Sequence, residues 1–268
     1  IDVDFDPKSR ILKGKAKITY FNNSPDTLRE MYINLFPNIF KKGQIRDEVV
    51  EYRDETDGLT IENISINKAV VDTAKENEKI IYGPTNLKVI LDSVIPPKTQ
   101  APINIKWHYI INKGSHSRTG GVDSTTFFIA YFFPHIAVYD DIDGWDDFHF
   151  KGDAEFYNDF GDFDVNITVP ENFVVWGTGF LQNPDEVLQK KYLKRFQSAL
   201  TTENIVHIVD STEAQLKNIT THNIQNVWKF EAKYVSDFAF ATSDHYLWDA
   251  TSLVVDTTSG ERVFIDVA

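Results

Sequence analysis

Cysteine is absent from this 268-residue sequence and methionine occurs once. No disulfide or thiolate metal site can form, a condition met both in the cytoplasm and in bacterial exported proteins. No apolar run approaches the roughly 20 residues that span a bilayer as a helix. Positive charge is in deficit, with 27 Lys and Arg against 40 Asp and Glu. The net −13 is spread along the chain, which disfavours a nucleic-acid backbone or an anionic membrane as partner. Catalytic signatures are missing too. There is no Gly-x-Ser-x-Gly, no phosphate-cradling glycine pattern, and none of the seven histidines opens a His-Glu-x-x-His motif. Ile1 in place of Met, and the alternating stretch Arg262 to Ala268, are expected of a piece cut from a longer polypeptide.

Aromatic residues, by contrast, are plentiful. Twenty Phe, eleven Tyr and five Trp in a chain that is 42% hydrophobic suit strands and supply core for one large β domain or two smaller ones. Alternation predicts a strand over Lys13–Phe21, with Gly14, Ala16, Ile18 and Tyr20 inward. A turn at Asn22–Asp26 leads to a second strand through Met31, Ile33 and Leu35. Further strands are read at Leu87–Leu91, Ile103–Ile111, Phe163–Val169 and Trp228–Tyr234. Asn183-Pro184-Asp185-Glu186, followed by Leu188, Tyr192 and Phe196, predicts one surface helix. The expected fold is all-β, an antiparallel β-sandwich or a curved saddle-shaped sheet with one or two short helices.

Three clusters invite chemistry. The loop Asp140 to Asp147 gathers carboxylates around Gly144 and resembles a hard-cation site, although Asp and Gly also make solvated turns. Asp153, Glu155 and Asp159 could be drawn as a glycosidase pair, a pattern that forty acidic residues also produce by chance. The run Thr126 to Pro134 is too continuous for a strand with one wet face, so it is expected in the core or beneath another domain. Scattered histidines are expected to be hydrogen-bonded structural residues.

Leu12 to Ala16 with Asn22 to Leu28, then Ile129-Ala130-Tyr131-Phe132-Phe133-Pro134 running into Ala137 to Asp141, Gly161 to Pro170, and Asp237 to Ser243 follow one another along nearly the whole chain. Together they resemble the amino-terminal domain of the aminopeptidase N family of zinc metallopeptidases, in particular members from Bacteroides relatives. The resemblance implies one saddle-like β domain over residues 1–268, inactive by itself. It would cover the cleft of a thermolysin-like catalytic domain further along the polypeptide. That domain would carry the zinc and act on peptides, so no cofactor is expected in this chain; nor are nucleic acid or a membrane span. An exported, periplasmic or envelope location rests on the same resemblance. Family members place a Gln or Glu at the edge of the first substrate pocket in the region matching Ala130-Tyr131-Phe132. Here Tyr131 stands at that position beside Phe132, so an aromatic ring would shape the pocket by packing and by its hydroxyl. The rival reading is a free-standing β-sandwich that binds carbohydrate or protein, with Trp107, Trp145 or Trp176 exposed for stacking.

Overall fold

The structure is a computed structural model that describes residues 1–47, 49–73, 76–116 and 118–268. Its largest element is an eight-stranded sheet. From edge to edge it runs Phe180–Leu181, Gln225–Val235, Gly161–Pro170, Asp2–Asp6, Ile11–Phe21, Gln100–Ile110, Thr60–Ile66 and Ala69–Val71. All neighbours are antiparallel except Asp2–Asp6 and Gly161–Pro170, which run parallel with Val3 opposite Ile167. The alternation read from Lys13 onward is observed: Lys13, Lys15 and Lys17 are exposed, while Leu12, Gly14 and Ala16 are buried.

Gly14 lies directly across from Trp107. A Cβ on Gly14 would fall 2.2 Å from the indole, so only a bare Cα leaves room for that ring. Trp107 is fully buried, and its Nε1–H donates to the carbonyl of Phe132 at 3.0 Å. It is therefore a core residue and unavailable for stacking on a ligand, contrary to the binding-module reading. Trp145 is half-buried among Tyr20, Tyr32 and Tyr139.

Two four-stranded sheets carry much of the rest of the core. One runs Val174–Gly177, Phe240–Ser243, Phe127–Ile129 and Thr119–Gly121; the other runs His135–Ile136, Leu28–Asn34, Asn86–Ile95 and Ile80–Tyr82. Their buried side chains join those of the large sheet in one apolar cluster, in which Phe5 meets Phe127 edge to face at 5.0 Å. The successive strands Ile11–Phe21 and Leu28–Asn34 fall in different sheets. The buried Asn22 amide marks the exchange by donating to the carbonyls of Asp26, Ile95 and Pro96. A three-stranded sheet of Val206–Val209, Trp248–Asp256 and Glu261–Val267 packs with the helix Lys190–Ala199.

The fold is all-β, with three α-helices among the described residues. The single helix expected from Asn183 onward is two, Pro184–Val187 and Lys190–Ala199. Between them Leu188 is extended and bridges Thr220, and the Gln189 N–H donates to the Ile219 carbonyl. Nor does Asn183 cap the first helix. Its side chain is taken up by Glu186, the Val227 carbonyl and the Lys229 N–H. A helix the sequence reading missed, Ser211–Leu216, starts on a capping box in which Asp210 accepts from the N–H groups of Thr212 and Glu213.

Candidate functional site

The run Thr126 to Pro134 is buried throughout except at Phe128, which is 39% exposed. Only Phe127–Ile129 is strand, held between Phe240–Ser243 and Thr119–Gly121. Beyond Ile129 the chain leaves the sheet, and Tyr131 adopts φ +41°. A bulky side chain in the left-handed region costs roughly 1–2 kcal/mol, so the surrounding contacts must impose it.

Those contacts are aromatic. The Tyr131 ring lies 5.0 Å from Phe156 and 6.3 Å from both Phe36 and Phe150, and these residues with Ile39, Phe40 and Ala130 form a second apolar cluster apart from the main core. Phe132 points the other way, into the main core, with its ring 5.2 Å from Phe240 and 5.1 Å from Phe133. Neighbouring residues thus serve two different packing layers. The Trp107 indole fixes the peptide that follows Phe132 by donating to the Phe132 carbonyl. Nearby, burial pushes the Tyr109 hydroxyl well above its ordinary pKa, and Tyr131 adds to the effect.

Three residues further on, a buried histidine pairs with a half-buried aspartate. His135 presents Nδ1 to the Phe133 carbonyl and Nε2 to Asp237, both at 2.9 Å, while its ring stacks on Phe133 with centroids 3.9 Å apart. Asp237 also accepts from the Phe238 N–H at 2.7 Å. Asp54 and His116 form a second pair at 2.7 Å, with the fully buried carboxylate also accepting from the Gly114 N–H. Desolvation would raise Asp54, but these two bonds prevail and hold its pKa below the usual carboxylate range. The same pattern governs the other histidines. His108, His207, His222 and His245 each face a carboxylate, so the histidines act chiefly as cross-links between segments, His149 excepted.

In the acidic loop, Asp140 accepts from the N–H groups of Asp143 and Ile142, and these bonds lower its pKa. Tyr157 donates to it at 3.4 Å. That is Asx-turn chemistry. Glu155 is engaged by Arg118 and lowered by that bond, which unfits it as a general acid near neutrality. Burial raises Asp159. Among the described residues, no three or more His, Asp or Glu side chains are placed to hold a metal ion.

The arrangement around Tyr131 is therefore closely packed aromatic core, with Tyr131 itself 1% exposed. The sequence reading missed the His135–Asp237 and Asp54–His116 pairs. Asp237 stood within a stretch singled out for other reasons, but 102 residues separate it from its partner.

No protein-family model and no curated protein matches the sequence. Solved structures do match the fold. A mutant of an M1 zinc metallopeptidase from Deinococcus radiodurans superposes with a TM-score of 0.50 at 10% identity, over 94% of this chain and 42% of its own length. A mutant from the same organism bound to a Tyr-Ser-Ala substrate matches with a TM-score of 0.50 at 10% identity, over 98% of this chain and 44% of that one. A two-domain M1 zinc metallopeptidase mutant bound to L-arginine gives a TM-score of 0.50, 10% identity and the same two coverages, 98% and 44%. This chain thus shares its fold with a segment of these metallopeptidases and spans less than half of their length.

Proposed function

We propose that this chain is the non-catalytic amino-terminal β domain of a zinc-dependent aminopeptidase-like metallopeptidase of the kind found in Bacteroides relatives. Its role is to wall one side of the active-site cleft, with the buried Tyr131–Phe132 segment packed behind that wall and shaping the substrate pocket from within the domain. The zinc and the reaction belong to a thermolysin-like domain further along the polypeptide, and the whole protein is exported to the periplasm or envelope. The observation that carries this reading is the fold match over nearly all of this chain to less than half of each metallopeptidase.

Two features support it. The outer face of the hairpin formed by Trp248–Asp256 and Glu261–Val267 carries Leu253, Val263, Ile265 and Val267, each more than 40% exposed. An apolar face of this kind suits a partner domain. Tyr131 is held in a strained conformation by packed rings, which suits a rigid support behind such a wall.

Three measurements test the proposal. The coding sequence after Ala268 should encode His-Glu-x-x-His. The 268-residue chain should leave aminoacyl 4-nitroanilides intact with zinc added. In the longer polypeptide, Tyr131→Ala should change KM across amino-terminal residues of different size while leaving zinc content unaltered. Hydrolysis by the 268-residue chain alone would defeat the reading.

A further inference from the structure

Away from Tyr131, a cleft of about 200 Å³ opens beside the three-stranded sheet, walled by Trp176, Phe180, Phe196, Trp248 and Phe264. The rings brace one another. Trp176 and Trp248 meet at 5.3 Å and 83°, Phe196 lies 5.6 Å from Trp248 and 5.3 Å from Phe264, and Phe180 meets Phe264 at 6.0 Å and 82°. Beneath Phe180 the chain turns through Gly179 at φ +88°, where a Cβ would sit 2.2 Å from the Glu231 carbonyl oxygen. The turn cannot carry a side chain and keeps its backbone pressed to the neighbouring strand.

Among the described residues of the lining, which include the terminal Ala268, Asp266 is the sole ionisable side chain and there is no lysine, arginine or histidine. It accepts from the Trp248 Nε1–H at 3.1 Å. The residue keeps an exposed edge, yet the protein atoms crowding its carboxylate desolvate it enough to raise its pKa. A carboxylate beside aromatic walls without a counter-charge is an unbalanced arrangement. An anion is repelled there, and a sugar finds too few hydrogen-bonding side chains for its hydroxyls. A neutral apolar guest leaves the carboxylate still poorly solvated. A primary ammonium needs up to three acceptors, and the Asp266 carboxylate already shares an oxygen with Trp248. A methylated ammonium needs none and is drawn both to ring faces and to the carboxylate.

We propose that this aromatic cleft is a binding site for a small quaternary ammonium group. A bound cation favours the ionised form of Asp266, so binding releases protons and tightens as pH rises through the raised pKa of that carboxyl.

The test is calorimetric titration of the 268-residue chain with tetramethylammonium chloride against a sodium chloride blank. Parallel titrations use butylammonium and the neutral 2,2-dimethylpropan-1-ol. Tetramethylammonium should saturate, and both other compounds should bind about tenfold more weakly or not at all. Asp266→Asn and Phe264→Leu, each checked for an unchanged melting profile, should weaken tetramethylammonium binding about tenfold as well. Absence of saturation, equal binding of the alcohol, or full affinity in Asp266→Asn overturns the site. Butylammonium binding as tightly as tetramethylammonium overturns its assignment to quaternary groups.

Discussion

Replacing Gly14 by alanine adds one methyl group at a backbone position of the large sheet that the Trp107 indole already crowds. Its Cβ would lie 2.2, 2.4 and 2.7 Å from three atoms of the Trp107 indole. Overpacking of this kind costs about 1–3 kcal/mol. The ring cannot swing aside freely, because its Nε1–H is bonded to the Phe132 carbonyl, and losing that buried bond costs about 1–3 kcal/mol more. Alanine stiffens the unfolded chain and returns about 0.5–1 kcal/mol, leaving a net destabilisation of about 3 kcal/mol. At about 2–4 °C per kcal/mol for a domain near this size, the melting temperature should fall by about 6–12 °C. Urea unfolding followed by circular dichroism and tryptophan emission measures the free energy, and calorimetry the midpoint. Trp107→Phe removes the colliding part of the ring, so the double variant should be more stable than additivity predicts by about 1 kcal/mol or more. If Gly14→Ala stays within about 0.5 kcal/mol of the parent, or the two changes simply add, the packing account is wrong.

Other outcomes follow from the charged and polar pairs. Burial alone would raise Glu213, but Lys191, Arg195 and the Asp210 N–H outweigh it and lower its pKa from 4.5 to about 2. The unfolded chain then takes up the proton first as pH falls, so stability present above pH 4.5 is lost on the way down to about 2. The loss is at most about 3 kcal/mol, reduced by solvent around the half-exposed Lys191. Acid unfolding of Glu213→Gln should lack this component, and identical acid curves for the two proteins would refute it. Asp54→Ala should cost about 2 kcal/mol in urea unfolding, because the Gly114 N–H and the His116 ring lose their shared acceptor. Calcium added in millimolar amounts should leave the melting temperature unchanged, since Asp140 is already occupied by backbone donors; a clear rise would make the Asp140 to Asp147 loop a cation site after all.

Much of the strand architecture was legible because alternation is a local property. The Lys13, Lys15 and Lys17 face and the inward file of Ile103, Ile105 and Trp107 read directly from spacing. That same file argued for the burial of Trp107, against its use as a stacking residue. Local capping signals worked less well. Asn183-Pro184 opens a helix as expected, but its length is decided at Leu188 by a bridge to Thr220, which no window around Leu188 contains. Asp210-x-x-Glu213 was a readable start signal for the helix that was missed. The continuous apolar character of Thr126 to Pro134 correctly indicated burial, but not what covers it. Phe150 and Phe156 come from a segment without regular structure, and the positive φ of Tyr131 answers to them and not to its sequence neighbours. The aromatic cleft draws its walls from positions 176 to 266, so only the completed fold assembles it.

The parallel strand Asp2–Asp6 carries a consequence for biogenesis. One of its neighbours, Ile11–Phe21, is made at once, but the other, with Asn166 opposite Asp2, is translated 164 residues later. At synthesis rates of about 5–20 residues per second the interval is on the order of ten seconds or longer. Until that neighbour is made the early strand has one side unsatisfied and open to pairing with another chain.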